Sequence, residues 1–159
     1  MRKFDGKLLI DGSWIAPSSG KVEEIKSPFN GAIAGQAAVA SVSDVDKAIT
    51  AAVKGAEAWR RTPAYQRSEI LMKAAALADE RVDEIAKIIT DETGLCLKDT
   101  RYEASRVSDV LRFSAAKALD DDSEVFPCDI TKNGRPRRIY TMRYPLNLIS
   151  AITPFNHPL

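Results

Sequence analysis

The sequence predicts an α/β fold. Between residues 43 and 119, apolar side chains recur at three- and four-residue spacing, as on the buried faces of amphipathic helices. Near the end, NLISAIT (147–153) is almost uninterruptedly apolar and is closed by Pro154, as a strand buried on both faces of a parallel sheet would be. A hairpin signal opens the chain.

In order, KLLIDGSWIA (7–16) reads as a β-hairpin. Two apolar stretches flank Asp11-Gly12, a dipeptide that tolerates the positive φ of a type I′ turn. Ser18-Ser19-Gly20 marks a loop, and Ser27-Pro28-Phe29-Asn30-Gly31 a second turn, after which AGQAAVA (34–40) suits a strand. A helix is expected from Ser43, with Ser43 and Asp46 as a capping box and Val45, Ile49, Ala52, Val53 and Ala56 as its stripe. Thr62-Pro63 predicts the next start, Thr62 as cap and Pro63 at the first helical position, with Ile70, Leu71, Ala74, Ala75 and Ala78 inward. A further helix carries Val82, Ile85, Ile88 and Ile89 and closes at Gly94. Residues 98–119 predict another, with Val107, Val110, Leu111 and Ala115 inward. Beyond the acidic run 120–122, Asn133-Gly134 signals a turn. RRIYTMRY (137–144) has the β-branched and aromatic content of a partly exposed strand.

Composition narrows the partners. With 159 residues, 45% hydrophobic and 28% charged, the chain can form one domain with a core. Lys plus Arg number 23 and Asp plus Glu 22, a net charge of +1. No global field attracts nucleic acid or an anionic membrane, and no apolar run is long enough to span a bilayer. Arg2-Lys3 is not followed by an apolar signal core. Cys96 and Cys128 make no disulfide framework and lack metal-ligand spacing. One histidine, His157, allows no multi-histidine site, so no metal is expected. A reducing, cytoplasmic setting is the default.

Ligands of open α/β sheets bind beyond the carboxyl ends of strands. Thr153-Pro154-Phe155-Asn156-His157 occupies such an end. By residue type alone, Asn156 is either a turn former or a site residue. Cys96 and Cys128 have no base nearby in sequence and read as ordinary thiols. Glu103 and Arg106 fit a solvated helix face.

The segment ISAITPFNHPL resembles the aldehyde dehydrogenase signature, in which a strand leads into Pro, an aromatic, Asn, a variable residue and Pro. Here these are Pro154, Phe155, Asn156, His157 and Pro158. LLIDGSW, SPFNG, SVSDVDKAITAA, WRRTPAYQRSEIL and the ETG helix end also follow the family's order, so the resemblance covers essentially the whole chain. It implies an amino-terminal part of the cofactor-binding domain over 1–135, an oligomerisation-type strand over 136–145, and the first strand of a Rossmann-like sheet over 146–159. A lone buried strand has neither pairing partners nor covering helices. The sequence is therefore expected to be a piece of a longer protein and inactive by itself.

The resemblance implies oxidation of an aldehyde to an acid with NAD or NADP. A cysteine thiolate would attack, a glutamate would serve as base, and both would lie after residue 159. Asn156 would lend its amide to an oxyanion hole, and Ile152, Thr153, Pro154 and Phe155 would lie along the dinucleotide. A histidine at the variable position resembles a subgroup near phosphonoacetaldehyde dehydrogenase and lactaldehyde dehydrogenase. There His157, with Arg106 from the preceding helix, would meet the substrate's anionic group; otherwise His157 packs beneath the site. Phosphonoacetaldehyde is the expected substrate, with lactaldehyde or a semialdehyde as the alternative. A small-molecule aldehyde is thus the expected partner, in a homodimer or homotetramer. A non-enzymatic helical interaction domain is the reading from another class. One departure is plain: similar proteins carry Arg-Glu-Pro and then a Gly two residues on, where this chain has Arg143-Tyr144-Pro145-Leu146-Asn147.

Overall fold

The computed structural model describes residues 5–120 and 122–159. Among them, four helices and three two-stranded antiparallel ladders follow one another along the chain. The opening hairpin forms as the Asp-Gly dipeptide predicts. β1 (Leu8–Ile10) pairs with β2 (Ser13–Ile15), Leu8 opposite Ile15. Asp11 and Gly12 have φ of 49° and 73°, both in the left-handed region that this turn requires.

β3 (Val22–Lys26) and β4 (Ile33–Ala38) form the second ladder. β4 overlaps the strand expected at 34–40. β3 has no counterpart in the sequence reading, because Glu23-Glu24 dilutes its β signal. The turn between them is built as its residues suggest. Gly31 has φ 72° and donates its N–H to the Ser27 carbonyl at 2.8 Å, and Asn30 Oδ1 accepts from the Ala32 N–H at 3.0 Å.

α1 (Val42–Arg61) is capped by Ser41, two residues before the expected cap. The pattern S-x-x-D occurs twice, at Ser41/Asp44 and at Ser43/Asp46, and the structure uses the first. Ser41 and Asp44 form the capping box, and Asp44 also accepts the Ser18 N–H at 3.0 Å and its hydroxyl at 2.9 Å. Those two bonds from a distant loop distinguish otherwise equivalent candidates. α1 packs on β1, yet Val45, Ile49 and Val53 of its apolar stripe stay about half exposed.

α2 (Ala64–Glu80), α3 (Val82–Thr93) and α4 (Leu97–Lys117) form a small bundle, α4 lying against both others. The Thr62 hydroxyl does not cap α2; it donates back to the Ala58 carbonyl at the end of α1, and Pro63 takes the N-cap position. Small residues make the contacts. Ala75, Ala78, Ala86, Ala104 and Ala115 are buried, with Ile89 the larger buried apolar side chain. Short side chains let the backbones approach, so larger apolar residues flank the seam. That is why Ile70 and Val110, expected inward, are exposed. Thr100, fully buried on α4, shares a 2.8 Å hydrogen bond with Thr90 of α3, which satisfies both hydroxyls.

After α4, β5 (Val125–Phe126) pairs with β6 (Ile139–Tyr140). The strand expected over 137–144 is thus paired at two residues. Residues 147–153 run without strand pairing and are exposed. A strand exists through the neighbour it bonds to, and among the described residues no segment offers NLISAIT a parallel one. Asn147 accepts a hydrogen bond from the Arg60 guanidinium at the end of α1.

Candidate functional site

The amphipathic pattern of α4 sets up the site. One side of the helix, through Ala104, Ser108 and Ala115, enters the bundle. The adjoining side carries Glu103, Arg106, Val107, Val110 and Leu111 out of it. The final segment folds back onto this side. Pro154, His157 and Leu159 face the five helical residues across a groove of about 460 Å³.

Two contacts hold the segment there. Leu159 donates its backbone N–H to Glu103 Oε1 at 3.1 Å. His157 Nδ1 lies 3.7 Å from Glu103 Oε2. The Glu103 side chain is only 12% exposed, whereas that of His157 is 70% exposed. Arg106, one turn on from Glu103, places its guanidinium 5.8 Å from the ring centroid of Tyr102, within cation–π range. Its stem lies beside Val107 and Val110, so the charged head can remain in water above an apolar wall.

The groove therefore brings Arg106 and His157 together, although 51 positions separate them in sequence. Asn156 sits beside it, exposed, in the turn formed with Phe155. Pro154 lines the groove; Ile152, Thr153 and Phe155 do not. Ile152 and Phe155 are 96% and 93% exposed, so their edges are open to a ligand. Glu103 is the residue that sequence reasoning missed. It reads as part of a solvated face, but it is the group on which the terminal segment is docked. Its signal was its place one turn before Arg106 on a side rich in valine.

The cysteines take no part in the groove. Cys96 is exposed at the N-cap of α4, and Cys128 donates its thiol to the Phe126 carbonyl at 3.4 Å. Among the described residues, no group of three or more His, Cys, Asp or Glu side chains could hold a metal ion. Among the described residues, no helix is long and apolar enough to cross a membrane.

The model for the Aldehyde dehydrogenase family matches residues 14–159. D-glyceraldehyde dehydrogenase (NADP(+)) of Thermoplasma acidophilum is 33% identical over 155 residues, covering 98% of this chain and 31% of that protein. Malonate-semialdehyde dehydrogenase 1 of Bacillus licheniformis is 34% identical over 150 residues, covering 94% of this chain and 30% of that protein. The chain thus spans less than a third of the length of these relatives. Among solved structures, an aldehyde dehydrogenase from Brucella melitensis biovar abortus superposes with a TM-score of 0.75 at 27% identity. That superposition covers 78% of this chain and 26% of the solved one.

Proposed function

Since this chain belongs to the aldehyde dehydrogenase family, we propose that the whole protein oxidises a small anionic aldehyde to its carboxylic acid with NAD or NADP. The observation that carries the anionic preference is the groove in which Arg106 and His157 meet beside Asn156. Guanidinium offers two parallel N–H donors that match a phosphonate or carboxylate. Imidazole adds a third donor. The Asn156 amide donates to the oxygen that gains negative charge at the tetrahedral stage. Exposed, unpaired backbone over Ile152, Thr153, Pro154 and Phe155 fits a dinucleotide lying along it. When bound, the dinucleotide accepts the hydride. The cysteine nucleophile and glutamate base of the family are not residues of this chain.

Phosphonoacetaldehyde is the first substrate to test. A carboxylate-bearing semialdehyde is the second, supported by the name of the malonate-semialdehyde relative, and lactaldehyde the third. Residues 136–145, with their exposed edge, are proposed as the contact strand of a homodimer or homotetramer.

The test is kcat/KM of the whole protein on phosphonoacetaldehyde, malonate semialdehyde and neutral propionaldehyde with either dinucleotide. Asn156→Ala should lower kcat on all three by roughly 10²–10³. Arg106→Ala should cost about 1.5–3 kcal/mol on the anionic substrates and leave the neutral one nearly unchanged. No oxidation of any aldehyde would refute the reaction. Equal losses on charged and neutral substrates in Arg106→Ala and His157→Ala would refute the anion site alone.

A further inference from the structure

The Glu103 carboxylate is held mostly out of water, its side chain 12% exposed. Such a group is retained only when its oxygens are satisfied. Oε1 accepts the Leu159 N–H at 3.1 Å, and Oε2 lies 3.7 Å from His157 Nδ1, near enough for an ion pair when the imidazole is protonated. The two contacted residues lie one and three positions after Asn156. Prolines 154 and 158 flank the same turn, and each has its own φ fixed by its ring. The backbone that carries Asn156 is therefore stiffened on both sides and docked to α4 through a single side chain.

We propose that Glu103 is a positioning residue, which aims the Asn156 amide by holding the Phe155–Asn156–His157 turn against α4. The proposal rests on the reading of Asn156 as an oxyanion donor. Because Glu103 holds the turn that carries Asn156, its loss lowers kcat on neutral aldehydes, which Arg106→Ala leaves nearly unchanged. This separates it from its neighbour Arg106. A loosened donor keeps its chemistry but loses its aim, and a misplacement of about 1 Å can cost on the order of 10²-fold in rate.

The experiment uses the whole enzyme. Glu103→Ala should lower kcat by about tenfold on neutral and anionic substrates, a fraction of the full misplacement penalty, with KM moving less. Glu103→Gln keeps an oxygen acceptor for the Leu159 N–H and should restore most of the rate. In an Asn156→Ala background, adding Glu103→Ala should cost less than about twofold, since the two act as one unit. Amide hydrogen exchange at Leu159 should speed up in Glu103→Ala and stay slow in Glu103→Gln, with α4 amides unchanged. If Glu103→Ala unfolds α4, Leu159→Pro removes the same hydrogen bond from the other side and should give the same fall in kcat. Additive losses in the double variant, or unchanged Leu159 exchange, would overturn the positioning role alone. An Asn156→Ala enzyme as fast as wild type would overturn the Asn156 assignment and the positioning role together.

Discussion

Asp44 turns a helix start into a tertiary joint. Its Oδ2 atom accepts the backbone N–H and hydroxyl of both Ser41 and Ser18. Ser41 belongs to the helix cap; Ser18 comes from the loop after the hairpin. The Ser41 backbone N–H is the largest influence on the carboxyl, and the Ser18 N–H and the two hydroxyls add to it. Together they outweigh burial and hold its pKa at about 2, below the usual 3.8. The folded value lies below the unfolded one, so the unfolded chain takes up a proton first as pH falls. The contribution is complete above the unfolded value of 3.8 and disappears as pH drops through about 2. Thermal melts of wild type and Asp44→Asn should therefore differ most near neutral pH and converge as pH falls from 4 to 2. A gap that stays constant over that range would mean that the carboxylate's charge is not what the site uses.

At the scale of elements, the corner between α3 and α4 depends on one glycine. Gly94 has φ 75° and donates its N–H to the Thr90 carbonyl at 2.9 Å, ending α3 in the left-handed conformation. A Cβ there would lie 2.7 Å from Pro28 Cγ, in the turn that joins β3 to β4. Two separate penalties meet at this position: the backbone strain of a side chain at positive φ, and a clash with a ring that has little freedom to move. Gly94→Ala should lower stability by roughly 1–3 kcal/mol from the backbone term, and more with the contact included. Urea unfolding measures it. A change within about 0.5 kcal/mol, the range of ordinary surface substitutions, would show that the corner yields without cost.

On the scale of the whole molecule, much apolar surface lies open. Val45, Ile49 and Val53 on α1, and Leu148, Ile149 and Ile152 in the terminal segment, are all exposed. A small-molecule pocket encloses most of its ligand, roughly 70–90% of the ligand surface. The Ile152–Phe155 stretch offers a single edge. The 159-residue polypeptide prepared alone should therefore bind neither NAD nor NADP at micromolar concentration, and should enhance the fluorescence of a hydrophobic dye such as ANS. Titration calorimetry and dye fluorescence check the two halves. Micromolar dinucleotide binding by this polypeptide would mean that the terminal segment forms a more enclosed site than its exposure indicates.

Features governed by local chemistry were legible in the sequence. The Asp11-Gly12 hairpin, the turn closing at Gly31, the end of α3 at Gly94 and the extent of α4 each depend on the φ preference or periodicity of a few neighbouring residues. The signature around Asn156 was likewise readable as a resemblance, because it is a contiguous string. Tertiary structure decided what depends on distant partners. It selected Ser41/Asp44 over Ser43/Asp46 through hydrogen bonds from Ser18. It stabilised the acidic β3 by pairing it with β4. It kept Val110 out of the small-residue seam of the bundle, and it left NLISAIT unpaired for want of a parallel neighbour. It also turned Glu103 from an apparent surface charge into the anchor of the terminal segment. Hydrogen bonds that join residues 26 or 56 positions apart follow from how the chain folds back on itself, which no local pattern encodes.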